Sequence, residues 1–174
     1  MTTRLLLLLA ITFACHAHAQ LPAKPDPDSV TGTFLAYIDD HATLFLNGEK
    51  LFHGNLGTSR SSATELKVGY RVVVHLANDH GPKGFLLVFA SSDGARIVSF
   101  RASDFKIVPE NGVTNFTPEQ FSKWPQAAKH LPNYKRDKAF DKLAKNYSQV
   151  VWGDLDQCTL ACTITPQMIS QRPK

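Results

Sequence analysis

The sequence is short of the residues that make a cross-linked scaffold or a motif-bearing enzyme. Its 174 residues contain three cysteines, too few for a disulfide-dense domain. None of the patterns G-x-S-x-G, H-E-x-x-H or C-x-x-C occurs, so the familiar hydrolase, zinc-protease and thiol-redox arrangements have no foothold. Ten glycines, ten prolines, 43% apolar and 20% charged residues exclude a collagen and a disordered chain. Long apolar runs are also scarce. The longest, Leu5–Ala14, is half the roughly twenty residues a bilayer-spanning helix needs. No membrane span is therefore expected.

That run has its own meaning. Arg4 precedes it, and a small-x-small site, Ala17 and Ala19, follows. A positive start, an apolar core and such a site make a secretory signal peptide, with cleavage after Ala19. A lipoprotein reading would use Cys15, but Thr12 and Phe13 suit it poorly. The expected organisation is a signal peptide over 1–19, an extended proline-rich leader over 20–29 and one domain over 30–174. The product is expected in the periplasm or outside the cell.

What is plentiful is two-residue alternation. From Val30 to Val108 apolar residues recur with period two, and glycine-containing turns separate the runs. Thr31–Ile38 reads as a strand. In Ala42–Asn47 the residues Ala42, Leu44 and Leu46 share one face. Asn47-Gly48 tolerates the positive φ of a type I′ hairpin, so Glu49–His53 is the return strand. Val68-Gly69-Tyr70 turns into Arg71–Leu76. Gly84–Ala90 is almost wholly apolar and reads as a central strand covered on both faces. Ser91–Gly94 is a second hairpin turn, before strands at Ile97–Phe100 and Phe105–Val108. Thr117-Pro118-Glu119-Gln120 carries a helix start. Phe140, Leu143, Ala144 and Tyr147 form one helical stripe, so a helical insertion spans about 117–147. Val150–Trp152 and Thr159–Ile164 close the domain. The expected fold is mainly β, a jelly-roll-like antiparallel sandwich with two short helices toward the C-terminus. A small SH3-like or OB-like barrel is the alternative.

Cys158 and Cys162 remain after cleavage, in an oxidising compartment that favours a disulfide. In an extended strand their Cα atoms stand about 13 Å apart, and a disulfide spans at most about 7 Å. A bridge between them therefore requires 159–161 to curl, and the bridge is the expectation.

Tyr37–Gly48, with Asp40-His41-Ala42-Thr43-Leu44-Phe45-Leu46-Asn47-Gly48 at its end, resembles the D-x-A-T-L-Y-V-N-G stretch of galactose-binding-like jelly-roll modules that accompany secreted bacterial glycosidases of the rhamnosidase type. Leu66–Gly69, Val72–Leu76, Asn78, Gly81-Pro82-Lys83-Gly84, Phe85–Phe89 and Asp93-Gly94 follow in similar order and spacing. Tyr70 departs from the polar residue usual after that glycine. The resemblance implies a binding module acting through loops at one end of a sandwich, with carbohydrate as ligand and Asp39, Asp40, Asn78 and Asp79 nearby.

Asp39-Asp40 is also a candidate calcium pair, since adjacent carboxylates suit a hard cation. Its plain alternative is a turn in which a carboxylate caps backbone N–H groups. His41, His53, His75, His80 and Asp79 are the acid–base candidates, in no metal-like spacing. Trp124 is a candidate stacking platform for a sugar. The stretch 123–145 holds six lysines and one arginine against two aspartates. That basic face suits an acidic partner, which makes an envelope interaction protein the second reading. The stretch lacks the interleaved aromatics of a single-strand nucleic-acid binder, so no nucleic acid is expected. An unrecognised hydrolase is the third reading.

Overall fold

In the computed structural model of the chain, the described residues are 26–80, 83–128, 151–152 and 155–170. Ten strands and two short helices are found among them. The strands are β1 (Ser29–Asp39), β2 (His41–Leu46), β3 (Glu49–Gly54), β4 (Gly57–Arg60), β5 (Thr64–Lys67), β6 (Arg71–Ala77), β7 (Gly84–Ser91), β8 (Ile97–Ser99), β9 (Lys106–Val108) and β10 (Gln157–Thr163). The helices are α1 (Pro118–Lys123) and α2 (Pro166–Ile169). The first sheet runs β4-β1-β7-β8, with β5 also on β1; the second runs β3-β2-β6-β10-β9. Every pairing is antiparallel. The architecture is the expected all-β sandwich with two short helices toward the C-terminus.

The alternation explains the layers. In β2 the residues Ala42, Leu44 and Leu46 are buried and their neighbours are half-buried, because successive side chains point to opposite faces. Those three pack with Val72, Val74 and Leu76 of β6, and with Phe34, Ile38, Phe85 and Phe89 of the first sheet. This is the core between the layers. β7 lies between β1 and β8 and is buried along almost its whole length, as its unbroken apolar run requires. The β2–β3 turn has Asn47 at φ 51° and Gly48 at φ 91°, the type I′ geometry.

β1 is long enough to serve two partners on one edge. Its residues Ser29–Gly32 pair with β5 and Leu35–Ile38 pair with β4. Gly32 sits where the backbones crowd: a Cβ there would meet the Ala90 carbonyl oxygen at 2.1 Å. β4, Gly-Thr-Ser-Arg, has no apolar residue, so no hydrophobic pattern announces it. Ser29 belongs to β1 rather than to the leader, and its N–H donates to Asp26 O.

The second sheet has a third layer on its outer face. Val73, Val108, Phe116, Trp124 and Ala161 form a separate apolar cluster, joined by Phe45, Val113 and Phe121. Helix α1 delivers Phe121 and Trp124. Its start is the expected capping box, with Gln120 N–H donating to Thr117 Oγ1 and Thr117 N–H to Gln120 Oε1.

One expectation is corrected here. Cys158 and Cys162 both lie on β10, and the bridge between them is not formed. Seven residues of β10 pair in register with β6, which holds the segment extended and the two sulfurs too far apart to bond. Burial holds the Cys162 thiol well above its ordinary value, with the Asp104 carboxylate adding to it. The expected signal peptide, most of the expected leader, the expected helix over 137–147 and most of the basic stretch lie outside the described residues. No helix among the described residues is long and apolar enough to cross a membrane.

Candidate functional site: a histidine-lined groove at the crossover end

Three crossings between the layers fall at one end of the sandwich. Asp40 alone separates β1 from β2; residues 55–56 join β3 to β4; residues 78–83 join β6 to β7. β10 begins at the same end, since Gln157 pairs with Ala77 and Ala77 with His41.

Asp40 ties two of these crossings. Its Oδ2 accepts the N–H of Asp79 at 2.8 Å and of His80 at 3.3 Å. Desolvation pushes its carboxyl upward, but those two N–H groups, the Asp39 side chain and the charge of His41 outweigh it and hold the carboxyl below its usual value. His41 ties all three. Its Nε2 lies 2.8 Å from Asp79 Oδ2 and its Nδ1 3.0 Å from Asn55 Oδ1. Two oxygen acceptors on one ring suit the doubly protonated imidazolium. The Asp79 and Asn55 hydrogen bonds accordingly raise its pKa, helped by the charges of Asp79 and Asp40, although partial desolvation opposes them.

From His41 a groove of about 370 Å³ runs across the outer face of the second sheet. It is lined by His41, Thr43, His53, His75, Thr159 and Gln157, with Asn111 and Gly112 along one side. Strand register assembles it: His53 lies opposite Thr43, Thr43 opposite His75, and His75 opposite Thr159. Thr43 Oγ1 and His53 Nδ1 are in hydrogen-bond contact at 2.8 Å. The His41 and His53 rings are nearly parallel, 8° apart in plane, with centroids 6.4 Å apart. His75 donates from Nε2 to the Val113 carbonyl at 2.7 Å and packs on the Phe45 ring.

The residues singled out from sequence divide cleanly. Asp39, Asp40, Asn78 and Asp79 do come together at the crossover end. Asp39 is buried, Asp79 is exposed and engaged by His41, and Asn78 presents a buried Oδ1 without a hydrogen-bond partner among the described residues. Trp124 does not join them. It is buried edge-on to Phe116 and Phe121, so no open ring face is left for a sugar. Of the expected calcium pair, Asp40 turns its Oδ2 onto backbone N–H groups, as the plain alternative of a capping carboxylate has it, and among the described residues no cluster of three or more His, Cys, Asp or Glu side chains is placed to hold a metal.

The convergence of three histidines is what the sequence reading missed. The Asn47-Gly48 turn points to a register, but an unbroken register would set His53 opposite Ala42 and turn it into the core. A β-bulge at Leu51 shifts the pairing by one residue, from Phe45–Lys50 to Leu44–Phe52. That slip moves His53 to the outer face. The available clue was Leu51-Phe52, two adjacent apolar residues that both pack on the core.

Comparison with known protein families, curated proteins and solved structures finds no match to this chain.

Proposed function

We propose that this protein is an exported, non-enzymatic binding module for carbohydrate, and that its ligand lies in the histidine-lined groove beside the Asp40 crossover. One observation carries the reading. The groove gathers imidazoles, two threonine hydroxyls and the amides of Asn111 and Gln157 in a space of about 370 Å³, a size and donor mix suited to a small polyhydroxylated molecule. The sequence resemblance to galactose-binding-like modules agrees with it, because that resemblance is strongest over Asp40–Gly48, the strand that supplies His41 and Thr43. The signal peptide supplies the export.

A glycan array and an insoluble-polysaccharide pull-down test the proposal. Retention by the wild-type chain, lost when Ala77→Trp fills the groove, is the expected result. No retained glycan overturns it.

A hydrolase, the third reading of the sequence, is the alternative that a contact in the structure favours. Thr43 Oγ1 against His53 Nδ1 is a hydroxyl–imidazole pair of the kind that activates a nucleophile. Among the described residues no carboxylate contacts the other ring nitrogen of His53 to orient it, which is why binding ranks first. Turnover of chromogenic esters or glycosides, abolished by His53→Gln, would reverse that order.

A further inference from the structure

We propose that the groove takes its ligand by an anionic group, a carboxylate of the uronic-acid type, and takes up a proton as it does so. This rests on the binding reading above and specifies the chemistry of its ligand.

Among the described residues no carboxylate, lysine or arginine lines the groove, so the imidazoles there decide which charge it accepts. His41 is committed: both ring nitrogens face acceptors, and Asp79 balances its charge. His53 and His75 are not. Each uses one nitrogen, His53 on Thr43 and His75 on Val113, and among the described residues the second nitrogen of each has no hydrogen-bond partner. The His75 bond to a carbonyl puts the proton on Nε2, so neutral His75 offers only a lone pair at Nδ1. Protonation converts that lone pair into a charged donor. Imidazole is the side chain that makes this change in the neutral range.

The His53 ring stacks on that of His41 with centroids 6.4 Å apart, so an anion seated in the groove lies against both rings and its charge favours a proton there as it binds.

The surrounding charges permit it. Lys50 lies opposite Phe45 and extends the positive character of the outer face along β3. Of the nearby carboxylates, Asp40 and Asp79 face His41 and are engaged there, and Asp156, next to Gln157, pairs with Lys83. Glu110 adjoins Asn111. The remaining titratable group in the lining is the Cys158 thiol on β10, which packs toward the core. His80 lies beyond Asp79 in the crossover.

Calorimetric titration with glucuronate and with glucose, at about pH 5.5 and about pH 8, tests the proposal. Glucuronate is expected to bind at least about tenfold more tightly at the lower pH, a factor worth about 1.4 kcal/mol. The heat in two buffers of different ionisation enthalpy should report proton uptake. His53→Gln and His75→Gln should each remove most of the pH gain while leaving the unfolding midpoint in place. Glucose should show no pH gain. If glucose binds as tightly as glucuronate at both pH values, the anionic proposal falls and the carbohydrate groove stands. If neither sugar binds at either pH, the proposal falls as well, and the glycan array decides separately whether the groove reading goes with it.

Discussion

The outer face of the second sheet carries two unlike surfaces on the same strands. One row consists of His53, Thr43, His75 and Thr159. Two residues further along β2, β6 and β10 the row becomes Phe45, Val73 and Ala161. Both rows point the same way, because side chains two apart share a face of a strand. The second row is roofed by Val113, Phe116, Phe121 and Trp124 and is core. The first is left open where the roof ends at Asn111 and Gly112, and becomes a groove. The comparison teaches that strand periodicity chooses the face, while a segment far off in sequence chooses whether that face is interior or site.

The sharpest way to break the comparison is to remove the roof. Trp124→Ala deletes a ring buried against Phe116 and Phe121 and should cost about 3–5 kcal/mol, read as a large fall in the urea midpoint. An unchanged midpoint would mean that the third layer contributes nothing to stability. A milder loosening comes from Thr117→Ala, which takes away the capping box of α1. About 1 kcal/mol is expected, with the groove's ligand affinity unchanged.

The smallest effect belongs to the open row and depends on pH. His41 has a raised pKa in the fold, through Asp79 first and Asn55 second. The stability this gives is present in full below the unfolded value of 6.5 and is lost as pH rises through the folded one. Asp79→Asn should therefore lower the urea midpoint most near pH 6 and converge on the wild type at higher pH. An offset independent of pH would show that Asp79 acts on the loop alone. Asp79 is solvent-exposed and His41 only half-buried, so the effect should be small.

Much of the fold is legible residue by residue. Ala42, Leu44 and Leu46 announce the inner face of β2, Asn47-Gly48 the hairpin, Phe85–Phe89 the central strand, and Thr117–Gln120 the helix start. β4 is silent because Gly-Thr-Ser-Arg has no pattern; it is a strand because β1 offers it an edge. That Asp40 and Asp79 meet at one end of the sandwich was legible. Their use was not, since the carboxylate of Asp40 is spent on N–H groups 39 and 40 residues away in sequence. For the thiols, local chemistry pointed one way and pairing went the other: β6 holds β10 straight, and Cys158 and Cys162 stay apart.

The sequence by itself determined the layers, because burying every second residue is a local rule that any strand obeys against any apolar neighbour. Only the tertiary structure decided the groove. The slip at Leu51 chose the face for His53, the order β3-β2-β6-β10 aligned it with His75, and the end of the roof at Gly112 left His53 exposed and His75 half-buried. Each of these is a relation between distant segments, and no single stretch of chain contains it.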